Sequence, residues 1–128
     1  MALKRNRGLR SEEGIVVKDT NMSGITQEGV LVTYVQATDS ISSAADLTYN
    51  AITTSTAFGS EGKRAILIEA FEPNEEYWVI LGGTVTKGDL LGSDASGHGV
   101  HDATGAGALI AMSSGITGQY IVAQKHLI

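Results

Sequence analysis

Glycine recurs too often and too evenly in this chain for long helices to form. Sixteen of the 128 residues are glycine, and proline occurs once, as Pro73. A glycine inside a helix costs about 1 kcal/mol relative to alanine, so the composition disfavours a helical bundle. The pattern is densest over residues 82–100, where the apolar runs at Val85 and Leu90-Leu91 stand between turn signals. This pattern is typical of short strands that reverse tightly.

The apolar segments predict about eight short strands and no distinct helix. The clearest of them are residues 14–18, 30–35, 65–71, 77–81, 107–112 and 118–123. An open sheet of that many strands would expose its edges, and closure removes them. We therefore expect an all-β fold, a small β-barrel or β-sandwich of short antiparallel strands. The chain length and its 42% of hydrophobic residues suit a single β domain over residues 15–128.

Some local features are predicted in more detail. Residues 65–71 and 77–81 should form a hairpin around the turn at Pro73. Residues 43–46 fit a capping box for a short helical turn, and residues 47–53 alternate like an exposed strand. The single tryptophan, Trp78, is expected in the core because it stands within an apolar run.

Charge divides the chain into a basic start and an acidic remainder. Residues 1–14 show no apolar periodicity and are predicted to form an extended N-terminal arm. Four of the nine basic residues lie in this arm: Lys4, Arg5, Arg7 and Arg10. Residues 11–128 hold five basic against fourteen acidic residues, a net charge of −9.

Three interpretations of the arm stay open: a solvated tail, an arm that orders on a partner surface, and a nucleic-acid arm. Leu3 and Leu9 could serve as apolar anchors on a partner. Clustered lysine and arginine can neutralise phosphates, but an acidic body repels the backbone, and the arm has no aromatic residues on which bases could stack. We therefore expect no nucleic-acid partner.

Several protein classes are disfavoured by composition. The absence of cysteine excludes disulfide scaffolds and thiolate zinc sites. The basic start is followed by polar residues 11–14 where a signal peptide needs an apolar segment, so none is expected. The longest uncharged run, residues 103–124, is broken by glycines and predicts strands rather than a membrane span. A soluble protein with no membrane partner is the expectation.

The residues with reactive side chains fit turns rather than an active site. His98, His101 and Asp102 resemble metal ligands, but two residues three apart on a strand point to opposite faces, which favours plain surface histidines. Asp94 and Ser96 are too close in sequence to His98 to adopt triad geometry readily. The sequence has no Gly-x-Ser-x-Gly elbow, phosphate loop, complete dinucleotide motif or calcium loop. We therefore predict no catalytic residue, no metal and no cofactor, and hence a protein that is not an enzyme.

Four segments, taken in order, resemble a known family. They are residues 83–91, 94–98, 105–108 and 115–122. Their sequence of a Gly-Asp-apolar-apolar strand, an Asp-x-x-Gly turn, a Gly/Ala-rich strand and a final Gly-x-x-apolar strand is similar to the C-terminal half of small tailed-phage capsid decoration (cement) proteins. The resemblance covers about residues 82–123.

The resemblance implies a structural protein on the outer surface of the virion capsid, made in the host cytoplasm. Such proteins bind the major capsid protein, commonly as homotrimers, and stabilise the expanded shell. It also implies that the N-terminal arm contacts the capsid, through Leu3, Lys4, Arg5, Arg7 and Arg10. The alternative from another class is a small β-barrel ligand- or carbohydrate-binding module, which would need an exposed aromatic platform. An enzyme is the third and least favoured of the function classes.

Overall fold

The computed structural model describes residues 14–60 and 62–125, which form ten strands and one turn of 3-10 helix at Asp19–Asn21. The strands are β1 (Ile15–Lys18), β2 (Leu31–Val35), β3 (Ser40–Ser42), β4 (Ala51–Thr53), β5 (Ala65–Ala70), β6 (Glu76–Ile80), β7 (Leu90–Ser93), β8 (Gly99–His101), β9 (Leu109–Ala111) and β10 (Tyr120–Lys125). The all-β prediction is confirmed, with ten strands in these residues rather than eight. No helix in the two described ranges is long and apolar enough to span a membrane.

The ten strands form two sheets of identical topology. The first sheet has the order β1-β5-β4-β2-β3 and the second the order β6-β10-β9-β7-β8. Counted from one within each half, both orders read 1-5-4-2-3, and every pairing between neighbours is antiparallel. The two halves of the chain therefore repeat the same strand topology. We call residues 15–70 the first half and residues 76–125 the second half.

The second half closes into a barrel. Leu81, directly after β6, forms a parallel bridge with Gly99 on β8, and the Gly82 N–H donates to the Gly99 carbonyl at 2.9 Å. Closure removes the open edges that a flat sheet would expose. The barrel interior is filled by small and branched apolar side chains: Val79, Leu81, Val85, Leu91, Leu109, Ala111, Ile121 and Ala123.

Within this barrel, two segments thirty residues apart make equivalent backbone hydrogen bonds to each other, which gives a local two-fold arrangement. Val85 and Gly115 exchange two backbone hydrogen bonds of 2.9 Å. The Gly118 N–H donates to the Leu81 carbonyl at 2.8 Å, and Gly88 makes the equivalent bond thirty residues earlier. Gly88 and Gly118 have φ values of +95° and +88°, a region that glycine enters without steric cost. The glycines of the sequence thus fall where the chain reverses.

The paired residues of β2 and β4 are buried on both faces of the sheet. Leu31 on β2 pairs with Ile52 on β4, and both lie in the apolar core of the second half. Their neighbours Val32 and Ala51 also pair, but lie in the core of the first half. Successive side chains of a strand point to opposite faces, so β2 and β4 form a layer that both cores share.

Tyr49 extends from the first half into the second. Its hydroxyl donates to the Leu91 carbonyl at 2.6 Å and accepts the Ala108 N–H at 3.2 Å. Its ring meets Phe71 edge-on, with the centroids 5.9 Å apart. Burial raises the pKa of the Tyr49 hydroxyl above its ordinary value. A buried tyrosine hydroxyl needs hydrogen-bond partners, and here the second half supplies both.

The hairpin predicted for residues 65–71 and 77–81 is wrong. β5 pairs with β1 and β4, whereas β6 pairs with β10 in the other sheet. The turn itself is present, with Asn74 at a φ of +68°, but it carries the chain from the first half to the second. Two adjacent strands with a turn between them do not reveal whether they pair with each other or with strands that follow later.

The segment 43–53, which the structure describes in full, also differs from its prediction. It contains no helical turn. Instead the Asp46 carboxylate accepts hydrogen bonds from the Thr48 N–H and hydroxyl at 2.9 and 2.8 Å, a local cap that competes with helix formation. The strand covers only Ala51–Thr53 and is buried rather than exposed. The residues before it form the loop that directs Tyr49 into the second half.

Replacing Tyr49 with phenylalanine should destabilise the protein without changing its shape. Tyr49→Phe leaves the Leu91 carbonyl and the Ala108 N–H without their partner inside the fold, which costs about 1–3 kcal/mol in the free energy of unfolding. Urea denaturation measures this loss. Tyr34→Phe is the matched control, because the Tyr34 hydroxyl is partly exposed and, among the residues that the structure describes, bonds only Asp39, at 2.7 Å. Equal losses in the two variants would contradict the proposed role of Tyr49.

Candidate interaction surface

The residues predicted to bind the capsid cannot be placed on this surface. Leu3, Lys4, Arg5, Arg7 and Arg10 lie outside the described residues, and their role stays a prediction. Gly14 is the first described residue and is exposed.

The histidine and aspartate cluster after β7 forms turns. The Asp94 carboxylate accepts the backbone N–H groups of Ser96 and His98, both at 2.9 Å. His101 Nδ1 lies 3.3 Å from Asp89 Oδ2 at the barrel surface. Over residues 14–60 and 62–125, no group of three or more histidine, aspartate or glutamate side chains is placed to hold a metal ion.

Trp78 is the residue that the sequence prediction placed wrongly. Its side chain is 59% exposed, whereas Tyr77 and Val79 on either side of it are buried. Strand β6 thus alternates normally, and Trp78 stands on its outer face. Both faces of the run from Tyr77 to Ile80 carry large apolar residues, so alternation of polarity could not reveal which face was buried.

Trp78 belongs to an apolar patch on the outside of the barrel. It pairs across the sheet with Val122 on β10, and the N–H of Met112, the residue after β9, donates to the Val122 carbonyl at 2.9 Å, so the three residues lie in one row. Tyr120, 43% exposed, stands on the same face of β10 as Val122. We call these four residues the aromatic face. Exposed apolar residues that cluster in this way mark interaction surfaces more often than isolated ones do.

An acidic cleft borders the aromatic face, between β6 and the end of the first sheet. It has a volume of about 180 Å³. Its walls include three glutamates, two threonines and two aromatic residues: Glu28, Glu69, Glu76, Thr53, Thr54, Tyr77 and Trp78. Within the described part of the chain, the carboxylates of Glu28 and Glu76 have no hydrogen-bond or ion-pair partner. Their charge is therefore available to a ligand in the cleft.

The cleft rests on backbone that is fixed by hydrogen bonds within the first half and by one bond from the second half. Buried Thr53 donates its hydroxyl to the Gln27 carbonyl at 2.6 Å and accepts the Val30 N–H at 2.9 Å. The Tyr120 hydroxyl donates to the Glu28 carbonyl at 3.0 Å, which holds the loop that bears Glu28 against the barrel. The cleft and the aromatic face are thus parts of one preformed surface.

Among the solved structures that resemble this fold is the crystal structure of the head fiber gp8.5 N base in bacteriophage phi29. The TM-score is 0.63 and the sequence identity 18%, and the match covers 90% of this chain and 97% of that chain. At this identity the likeness establishes the fold. Neither a protein-family model nor a curated protein matches the sequence.

Tyr77, which lines the cleft, should make stability depend on alkaline pH. Burial raises the pKa of its hydroxyl from 10.0 to about 12. The unfolded chain releases this proton at a lower pH than the folded chain does. The free energy of unfolding therefore keeps the full contribution of this group below pH 10, and it falls as the pH rises toward 12, by up to about 3 kcal/mol.

Urea denaturation across this pH range tests the effect. Tyr77→Phe should lower stability below pH 10 but flatten its decline above pH 10. The reason is that the variant loses both the titrating hydroxyl and the hydrogen bond that this group accepts from the Glu72 N–H at 2.8 Å. A decline as steep in the variant as in the parent would show that other groups cause it.

Proposed function

We propose that this chain is a structural protein of a tailed-phage head, a decoration protein that binds the outer surface of the capsid. In this role it attaches to the major capsid protein and stabilises the expanded shell. It carries out no reaction and needs no cofactor.

The observation that carries the proposal is the fold similarity to the phi29 head fiber base. The match extends across nearly the full length of both chains, so it concerns the whole fold and not a common hairpin. The resemblance of residues 82–123 to decoration proteins supports the same role independently. These residues form most of the closed barrel, including the strands β7 to β9.

The basic arm provides a chemistry for attachment. Lysine and arginine side chains form charge-assisted hydrogen bonds with carboxylates, and an extended arm can add backbone hydrogen bonds at a strand edge. The proposed contacts are Leu3, Lys4, Arg5, Arg7 and Arg10. In a homotrimer three arms act together, and each later contact becomes intramolecular, so weak single contacts give tight attachment. The trimer would have three times the 13.4 kDa mass of the chain, which light scattering measures.

Co-sedimentation with expanded, genome-free phage heads stripped of their own copies of the protein tests the proposal. The full-length protein should bind saturably. A variant with Lys4, Arg5, Arg7 and Arg10 changed to glutamine should bind roughly tenfold more weakly, a loss of about 1.4 kcal/mol. The matched control changes Lys18, Lys63 and Lys87, which are exposed on the body, and should bind like the parent.

The possible results distinguish two questions: whether the protein binds phage heads, and whether the arm makes the contact. Saturable binding that the arm variant keeps would retain decoration and move the contact to the barrel. No binding to stripped heads would overturn the proposed function.

Carbohydrate binding is a second candidate function, favoured by one observation. Trp78 and Tyr120 stand exposed on neighbouring strands, which is the aromatic platform that this alternative requires. Exposed rings offer a flat apolar face to a sugar, and adjacent glutamates can accept hydrogen bonds from its hydroxyl groups.

Screening of the protein against a glycan array tests this alternative. A ligand of the aromatic face should lose binding at least roughly tenfold in Trp78→Ala. Phe58→Ala is the matched control, because Phe58 is also an exposed aromatic residue, at 50%, but lies on the first half. No glycan bound, or equal loss in both variants, would dismiss the aromatic face as a sugar site.

A further inference from the structure

The acidic cleft lies where the basic arm joins the fold. Ile15 pairs with Ile68 in the antiparallel β1–β5 ladder, so the preceding Gly14 lies across from Glu69. A Cβ atom added to Gly14 would be 3.5 Å from the Ile68 carbonyl oxygen, which confirms this close approach. Because Glu69 lines the cleft, the arm leaves the folded body at the edge of the cleft.

The arm is long enough to reach every part of the cleft. Thirteen residues precede Gly14, and an extended chain spans about 3.3–3.6 Å per residue, or roughly 40 Å in all. The basic residues Lys4, Arg5, Arg7 and Arg10 stand four to ten positions before Gly14. Their spacing from the body therefore permits contact with Glu28 and Glu76.

The chemistry of the cleft matches these cations. Two carboxylates without a partner in the described residues, Glu28 and Glu76, flank the exposed ring of Trp78. An arginine guanidinium can bond a carboxylate with two parallel N–H groups and stack on an aromatic face at the same time. A surface with both features is suited to arginine more than to a small anion or an apolar segment.

We propose that residues 3–10 of the arm dock in the acidic cleft of their own chain, with an arginine side chain against Trp78. A single exposed ion pair is weak, but a tethered segment meets the cleft at an effective concentration in the millimolar range, which favours intramolecular docking. In the free protein the arm is then bound to the acidic cleft of its own chain. An acidic capsid surface has to compete with the cleft for the arm. This competition goes beyond the proposed function, whereas the docking itself does not depend on it.

Trp78 provides the test, because it is the only tryptophan in the chain. Acrylamide, a neutral quencher, reports its accessibility in the free protein without phage heads. A full-length variant with Lys4, Arg5, Arg7 and Arg10 changed to glutamine should be quenched roughly 1.5- to 2-fold more steeply than the parent, since the arm no longer covers the ring. Salt at about 1 M, which shortens the screening length to about 3 Å, should produce the same change in the parent.

Changes on the cleft side complete the test. Glu28→Gln with Glu76→Gln should raise the quenching of Trp78 as the arm variant does. Glu72→Gln with Glu75→Gln removes two exposed carboxylates from the neighbouring turn, outside the cleft lining, and should leave it unchanged. Circular dichroism checks that every variant keeps the β fold of the parent.

Three results would overturn the proposal. Equal quenching of the parent and the arm variant would mean that the arm does not cover Trp78. A difference in Trp78 quenching between the parent and the arm variant that grows with protein concentration would mean that the arm of another copy binds in the cleft. Equal loss of protection from both glutamate pairs would indicate general charge attraction rather than docking in the cleft. Because the experiment uses the free protein, its failure leaves the head-binding result unaffected.

Discussion

Burial of the paired residues of β2 and β4 on both faces is the constraint on which the rest of the fold depends. Leu31, Val32, Ala51 and Ile52 are each at most 1% exposed, and alternate members serve different cores. Removing either half would expose one face of this layer, with the loss of roughly 25 cal/mol for each Å² of apolar surface returned to water. The shared layer also fixes where the halves meet, and Thr53 on β4 lines the acidic cleft beside this layer.

Features of this fold that depend on local interactions could be predicted from the sequence, whereas features that depend on distant segments could not. Strand positions such as those of β1, β2 and β5 depend on local alternation and turn residues, and they were predicted closely. Strand partners depend on distant segments, so the supposed hairpin from Ala65 to Leu81 was wrong. The repeated topology was missed because it resides in the order of pairing.

The candidate surface was harder to predict than the fold. An apolar residue on a strand indicates burial only when its neighbours are polar, and Trp78 has Tyr77 and Val79 beside it. The acidic cleft joins Glu28 and Glu76, forty-eight positions apart in sequence, so no motif could contain both. The concentration of basic residues in positions 4–10, by contrast, is evident from the sequence alone. What the structure adds is the position of Gly14, the first described residue, which lies across from Glu69.

The acidity of the body has two separate sources, and this division connects the fold to its proposed partners. Each of the six aspartates accepts a hydrogen bond, as Asp19 does from Arg64 and Asp102 from Thr104; these bonds hold the pKa of both carboxyls below the ordinary value. Most of the others cap turns, so their charge is committed to the fold. Glu28 and Glu76 have no such role within the described residues. Charge that contributes nothing to the fold can be neutralised by a ligand at no cost to folding, which is what an exchangeable basic arm requires.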